Sequence, residues 1–205
     1  MRMPVALMDV LASHQIRMAV LEGLLARSGG KTGYFAEVSL EASGLSALVN
    51  QATNHLNAGE SPARDGGLHP NIAPYGDVLH CKNGFVVLAV GNDRQFAALC
   101  IALGKSKWAQ DARFATNHLR VKNRNDLMPL LQSAAGEFEK NELITQLTNT
   151  SVPAGLVKSM DEVFQSGTNG SNALIHNDDG QVRPKSIAYR VRYYDFKADE
   201  PETTD

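Results

Sequence analysis

The chain has 205 residues, 43% of them hydrophobic and 20% charged, with a formal net charge of −2. Such a chain can bury a real core in one large or two small soluble globular domains, and its near-neutral balance argues against nucleic acid or an anionic membrane as the main partner. No run approaches the ~20 apolar residues of a membrane span. The apolar stretch before Asp9 is too short for a signal peptide, so a cytoplasmic location is expected.

Pro4 to Met8 is a short apolar run readable as a strand end. Val10, His14, Met18, Leu21 and Leu25 then recur at helical spacing, with Asp9 at the junction. One reading makes Asp9 an N-cap whose carboxylate accepts backbone N–H bonds. Capping does not exclude chemistry: a carboxylate there is oriented at the positive end of the helix dipole, as suits a nucleophilic aspartate. Ser28-Gly29-Gly30 ends this helix. Tyr34, Ala36, Val38 and Leu40 alternate with Phe35, Glu37 and Ser39 as a strand would. A second helix carries Leu45, Leu48, Val49, Ala52 and Leu56 on one face, with Gly59 just past its end. The polar, turn-rich stretch Glu60 to Gly67 is the candidate domain boundary.

The stretch Leu68 to Asn92, LHPNIAPYGDVLHCKNGFVVLAVGN, couples a Gly-Gly and Pro-rich loop to a hairpin. Lys82-Asn83-Gly84 is a tight-turn signal, and Phe85 to Val90 is an apolar run of buried-strand length. Asp93 stands where an N-cap should, ahead of Phe96, Leu99, Cys100 and Leu103, with Gly104 placed to close the helix. Trp108 to Asn117 reads as a loop anchored by Trp108 and Phe114. The basic run His118 to Arg124 reads as the solvated face of a helix start. A helix follows around Leu127, Leu130, Leu131, Ala134 and Phe138, with Pro129 assigned to its first turn. Asn141 is placed to cap the next helix, through Leu143, Ile144 and Leu147. Val152 to Gly155 breaks the run, and Ser159 and Glu162 have capping-box spacing for a short helix ending near Gln165. Ser166 to Asn172 is flexible by composition, strand-like pieces between Ala173 and Phe196 flank Asp178-Asp179-Gly180, and the acidic end reads as a frayed tail.

Pattern alone gives a soluble α/β protein. His14, His55, His69, His80, His118 and His176 are too scattered to argue a metal site, and no phosphate loop or Ser/His/Asp order stands out. Cys81 and Cys100, without CxxC spacing, read as buried apolar residues in a reducing compartment.

Four stretches nevertheless resemble a known family, the class III CoA-transferases. They are VALMDVLASHQIRMAVLEGLLAR; KTGYFAEVSLEASGLSALVNQATNHLNAG; HPNIAPYGD through VLAVGND and FAALCIALG; and RFATNHLRVKNRNDL followed by VPAGLVKSMDEVF. HPNIAPY, AVGND and ATNHLRVKNR look closest to dicarboxylate-using members such as the succinyl-CoA:glutarate CoA-transferases. The resemblance implies a truncated class III fold, with a partial large α/β domain over residues 1–64, a small α+β domain over 65–165, and a returning segment and tail over 166–205. It places Asp9 on the family's catalytic nucleophile, which carries CoA as an aspartyl-CoA thioester. It puts Gly66 and Gly67 in a loop over that aspartate, with His69, Asn71 and Tyr75 able to bond a substrate carboxylate. It implies no cofactor beyond the CoA thioester substrate, an acyl-CoA and a carboxylic acid as partners, and a homodimer if the chain is complete.

The departures are equally specific. Ser13-His14 replaces the Thr-Gly common after the aspartate, and the stretch from Thr32 to Ser39 is two residues short of the TGxG pattern and lacks its second glycine. Family members are about twice this length and begin with a nucleotide-binding half, so the chain is expected to be a C-terminal portion. Two alternatives stay open. One is an acyl-CoA racemase of the same family, with the aspartate as base. The other is a non-enzymatic remnant or a subunit completed by another chain, which would expose apolar surface between Val10 and Leu56.

Overall fold

In the computed structural model, residues 5–64, 66–165, 174–176 and 180–184 are described. Contacts divide the chain into two units, Met1–Gly155 and Leu156–Asp205. The first unit opens with three helices, α1 (Leu7–Ser28), α2 (Leu40–Ser46) and α3 (Val49–Ala58). A hairpin follows, β1 (Tyr75–Cys81) and β2 (Gly84–Ala89). Four further helices come next: α4 (Asp93–Ala102), α5 (Asn117–Lys122), α6 (Arg124–Ala135) and α7 (Lys140–Asn149).

The hairpin is the base of the core. Its register runs from Val78↔Val87 to Cys81↔Gly84 around the Lys82-Asn83 turn, as the turn signal predicts. Phe85 to Val90 is not buried throughout: Val86, Leu88 and Val90 face inward, whereas Phe85 is exposed, because an antiparallel hairpin here covers one face only. On the hairpin α6 packs against β1 and α7 against β2, with α4 packed on α7; Phe96, Leu99 and Cys100 of α4, Leu127 and Leu131 of α6, and Leu143 and Leu147 of α7 are all essentially solvent-free. The outer edge of β1 is occupied by a side chain. Gln132 of α6 accepts from the His80 N–H at 3.1 Å and donates to the His80 carbonyl at 2.9 Å, as a neighbouring strand would. β2 is flanked on its other side by β3 (Ala154–Val157), whose entry is fixed by the Ala89 N–H donating to the Pro153 carbonyl at 2.9 Å.

Several expected boundaries shift for local reasons. The cap of α4 is Asn92, accepting from the Gln95 N–H at 2.9 Å, and Asp93 is the first helical residue. α6 starts at Arg124, so Pro129 lies inside it, past the first turn. α7 starts at Lys140, and the turn residue Asn83 supplies the acceptor for the Lys140 N–H at 2.8 Å, so Asn141 caps nothing. Phe114 is fully buried as an anchor, whereas Trp108, in a 3-10 turn over Ser106–Gln110, is only half-buried.

The N-terminal helices differ most from expectation. Leu7 and Met8 are helical, not strand, and the expected second helix is two, broken at Ala47-Leu48, with Val49 at a φ of 41°. Gly59 does close α3 in the left-handed conformation. Residues 33–39 pair with no strand among those described: the alternating pattern is present, but a strand needs a neighbour. α1 buries only Ala12, meets α2 where Met8 approaches Gly44, and leaves Val10, Ile16, Leu21 and Leu25 exposed.

In the second unit the capping box forms as spaced. The Ser159 N–H donates to Glu162 Oε2 at 2.8 Å, and the Glu162 N–H donates to Ser159 Oγ at 3.2 Å, opening α8 (Met160–Gln165). β4 (Leu174–His176) and β5 (Val182–Pro184) pair antiparallel, on either side of Asp178-Asp179-Gly180 as expected. The expected flexible stretch Ser166 to Asn172, Asp178-Asp179, and the tail lie outside the described residues.

The basic run is the main correction. Arg120 of α5 is fully buried, not solvated. Its guanidinium donates to the Ala73 carbonyl at 2.8 Å, the Phe114 carbonyl at 3.0 Å and Asp93 Oδ1 at 2.7 Å, and lies 4.5 Å over the Phe96 ring. Asp93 is 57% exposed, so the pair is solvated at one end only. Replacing Arg120 by Ala strands two carbonyls and should cost about 3 kcal/mol in urea unfolding, whereas Asp93→Asn should cost less than about 1 kcal/mol.

Candidate functional site

Asp9 is the third residue of α1, in its first turn, and Ala6 takes the cap position. It is therefore not the N-cap that the sequence suggests: the helix begins three residues earlier than that cap would place it. The carboxylate stays exposed at the N-terminal end of the helix dipole. The α1–α2 contact beside it is close, since a Cβ on Gly44 would fall 2.6 Å from the Met8 sulfur. Among the described residues, Asp9 forms no side-chain hydrogen bond or ion pair.

The remaining sequence-selected residues lie in the loop before β1 and, for Tyr75, at the first residue of β1. Gly66 has a φ of 67°. Gly67 and Gly76 face each other so closely that a Cβ on Gly76 would collide with the Gly67 carbonyl oxygen, so the glycines are needed for backbone approach. The His69 N–H donates to the Tyr75 carbonyl at 3.2 Å, and the two rings meet edge-on with centroids 5.4 Å apart. His69 Nδ1 accepts from the Asn71 N–H at 3.1 Å, which in the neutral ring leaves the proton on Nε2. Asn71 is less free than its sequence position suggests. Its Oδ1 accepts from Asn54 Nδ2 at 3.0 Å and Asn50 Nδ2 at 3.5 Å, tying the loop to α3. Between α3 and this loop lies a cleft of about 200 Å³ walled by Gln51, Asn54, Glu60, Ser61, Gly66 and Leu68. A larger groove of about 490 Å³ runs along α1, lined by Ile16, Ala19, Val20, Gly23, Leu24 and Tyr34.

Sequence reasoning misses the residues that hold the loop. Arg124 donates to the His69 carbonyl at 2.7 Å and the Ile72 carbonyl at 2.6 Å, while Arg120 takes the Ala73 carbonyl. Asn117 brackets the same turn, donating to the Asn71 carbonyl at 2.7 Å and accepting from the Ala73 N–H at 3.1 Å. The family-like run from Asn117 to Arg124 was the available signal, but charge alone does not separate a buried clamp from a wet surface.

Asp77 is also missed. Two residues, Gly76 and Asp77, lie between the paired Tyr75↔Ala89 and Val78↔Val87, opposite Leu88 alone. This bulge, with Gly76 at a φ of 78°, turns the Asp77 side chain into the core beside Leu79. Both carboxylate oxygens are buried and neither has a hydrogen-bond partner of good geometry. Burial pushes the Asp77 pKa up, offset in part by the Arg124 charge and weakly by nearby Tyr75 and Asp77 backbone N–H groups. Cys100 is inert by the same physics, its thiol pushed up to about 12 by burial against the lowering effect of Arg120. Cys81 is half-buried rather than buried, its pKa raised by desolvation and Glu139.

Among the described residues, no helix is long and apolar enough to cross a membrane, and no group of three or more His, Cys, Asp or Glu side chains is placed to hold a metal ion. The fold and loop thus define a mixed helix–sheet chain with a carboxylate on a helix first turn and an arginine-clamped glycine loop. The chain belongs to CoA-transferase family III, whose family model matches residues 1–202. It is 33% identical to a succinate–glutarate CoA-transferase of Agrobacterium fabrum, over 90% of this chain and 46% of that protein. It is 30% identical to a succinyl-CoA:glutarate CoA-transferase of Mus musculus, over 96% of this chain and 45% of that protein. A crystal structure of a CaiB/BaiF family protein from Brucella suis superposes with a TM-score of 0.71 at 32% identity, over 95% of this chain and 50% of that one. The chain spans about half the length of the curated relatives it matches.

The state of Asp77 gives a pH test. Because its folded pKa is raised, the stability it contributes as a neutral acid is complete below the ordinary carboxylate value and is lost as pH rises through the raised folded value. Asp77→Asn should therefore be more stable than the wild type at pH 7, and the gap should close as pH falls toward the ordinary carboxylate range. Urea midpoints of the two proteins across that range check it.

Proposed function

We propose that this chain takes part in transfer of CoA between a short dicarboxylic acyl-CoA and a carboxylic acid, with Asp9 as the nucleophile. The observation that carries the reading is an exposed carboxylate in the first turn of α1, in a chain of this family. The Asp9 carboxylate attacks the thioester carbonyl, forming a mixed anhydride and expelling CoA thiolate. The thiolate attacks the aspartyl carbonyl of the anhydride, giving the aspartyl-CoA thioester and releasing the donor acid. The acceptor carboxylate attacks that thioester to form a second anhydride and free thiolate. Attack of the thiolate on the acceptor's acyl carbon then gives the new acyl-CoA and restores Asp9. Each step exchanges acyl bonds of similar energy, and oriented donors stabilise each tetrahedral oxyanion.

Gly66 and Gly67 give the loop its close backbone, and His69 Nε2–H, the Tyr75 hydroxyl and the Asn71 amide are the donors assigned to a substrate carboxylate. The names of the two similar transferases support succinyl and glutaryl groups as donor and acceptor. Incubation with succinyl-CoA and glutarate should give glutaryl-CoA by mass spectrometry, and Asp9→Ala should lower its rate by on the order of 10³-fold or more. Product formation unaffected by Asp9→Ala would remove Asp9 from the chemistry.

The exposed apolar face of α1 favours a second reading, in which turnover needs a further polypeptide over that face. The 205-residue chain alone should then bind an apolar dye strongly and turn over slowly. Full activity from a monomer without dye binding would discard this reading.

A further inference from the structure

The loop from His69 to Ala73 is held by two arginines, and each has an acid nearby. For Arg120 the pairing is explicit, at 2.7 Å to Asp93. For Arg124 it is not. Two of its contacts go to loop carbonyls, and its Nε is buried without a partner. Asp77 is buried with both oxygens in the same condition, on the strand against which α6 packs, and the Arg124 charge acts on it without a direct ion pair. Among the described residues, these are the only buried side-chain nitrogen or oxygen atoms that lack a hydrogen-bond partner, and they carry opposite charge. Arg124 as a whole is half-buried, but a guanidinium with a buried, unpaired Nε that donates only to neutral carbonyls keeps an uncompensated charge, which a nearby anion offsets. The Gly76 bulge lets Asp77 share the core face of β1 with Leu79 although Tyr75, two residues before it, is exposed.

We infer that Asp77 is a positioning residue, the counter-charge that holds Arg124 in its clamp on the His69 and Ile72 carbonyls and thereby orders the candidate substrate loop. The arrangement explains why an unpaired acid is kept in an apolar layer. Asp77 costs global stability through desolvation and returns local order at the loop. The loop's part in binding substrate rests on the function proposed above. The clamp itself does not, and its test needs no substrate.

The test uses the 15N-labelled chain with Asp77→Asn, Arg124→Gln and the double variant. In the wild type the Arg124 Nε–Hε resonance should be resolved and slow to exchange. Asp77→Asn should shift or broaden it and raise amide exchange at His69 and Ala73 by about tenfold or more, while Leu103 and Leu143 in the helices keep their protection. The double variant should loosen the loop no more than Arg124→Gln alone, since both changes remove one interaction. Should Asp77→Asn lose protection at Leu103 and Leu143 as well, Asp77→Ser provides the same comparison with a smaller neutral side chain. Unchanged loop exchange and an unmoved Nε–Hε resonance in a folded neutral variant, or effects of the two single changes that multiply in the double variant, would overturn the inference. Loss of transferase activity with an intact clamp would instead bear on the proposed function.

Discussion

The first unit depends on one buried charge. Arg120 has no solvent-exposed surface, so its guanidinium must find every partner inside the protein. It finds them on three separate stretches: Ala73 in the loop before the hairpin, Phe114 ahead of α5, and Asp93 at the start of α4. None of these is near the others in sequence, and a planar fork of donors can join them in one geometry. A lysine would bring the charge without the fork. The loop's backbone needs this help, because a segment outside regular ladders must have its buried carbonyls satisfied by side chains. Arg120, Arg124 and Asn117 do that from α5 and the start of α6. The order of the loop is thus imposed from a helix pair more than 40 residues later in the chain, through bonds whose partners are 44 to 55 residues apart.

How much of this was legible follows from the range of each interaction. The Lys82-Asn83 hairpin turn, the Gly59 and Gly104 helix ends and the Ser159–Glu162 capping box are local, and neighbouring residue types announce them. The basic run was misread because Arg120 and Arg124 have the sequence signature of a wet helix face. What distinguishes them is the set of carbonyls on a distant loop. Asp77 was overlooked for a different reason. Counting back from buried Leu79 past exposed Val78 places it on the core face, and only its being an acid, a type rarely found there, hides it. Asp9 is singled out by resemblance, and its expected capping position lies three residues past the observed cap, since Ala6 precedes the first helical turn without any side-chain signal.

Residues 33–39 and α1 show the opposite limit. Both carry patterns that are correct for buried elements, yet the strand has no ladder and the helix buries one residue, Ala12. A 22-residue amphipathic helix gains most of its stability in water from packing its apolar face, and here that face, with the groove beside Tyr34, is open. The chain covers about half of each similar transferase, and the open face lies on the helix that bears Asp9.

The two parts of the candidate site therefore differ in what they need. The loop is built entirely within the first unit: its glycines, its His69–Tyr75 contact and its arginine clamp all come from residues 66–124. Asp9 has a helix terminus to orient it, but among the described residues no donor bonds its carboxylate and no side chain shields it from water. An acyl-transfer nucleophile gains most of its advantage from a dry site with donors already aimed at the oxyanion. The loop is preorganised where the proposed nucleophile is not, so a polypeptide packed on the α1 face would act chiefly on the reactivity of Asp9 and only weakly on the order of the loop.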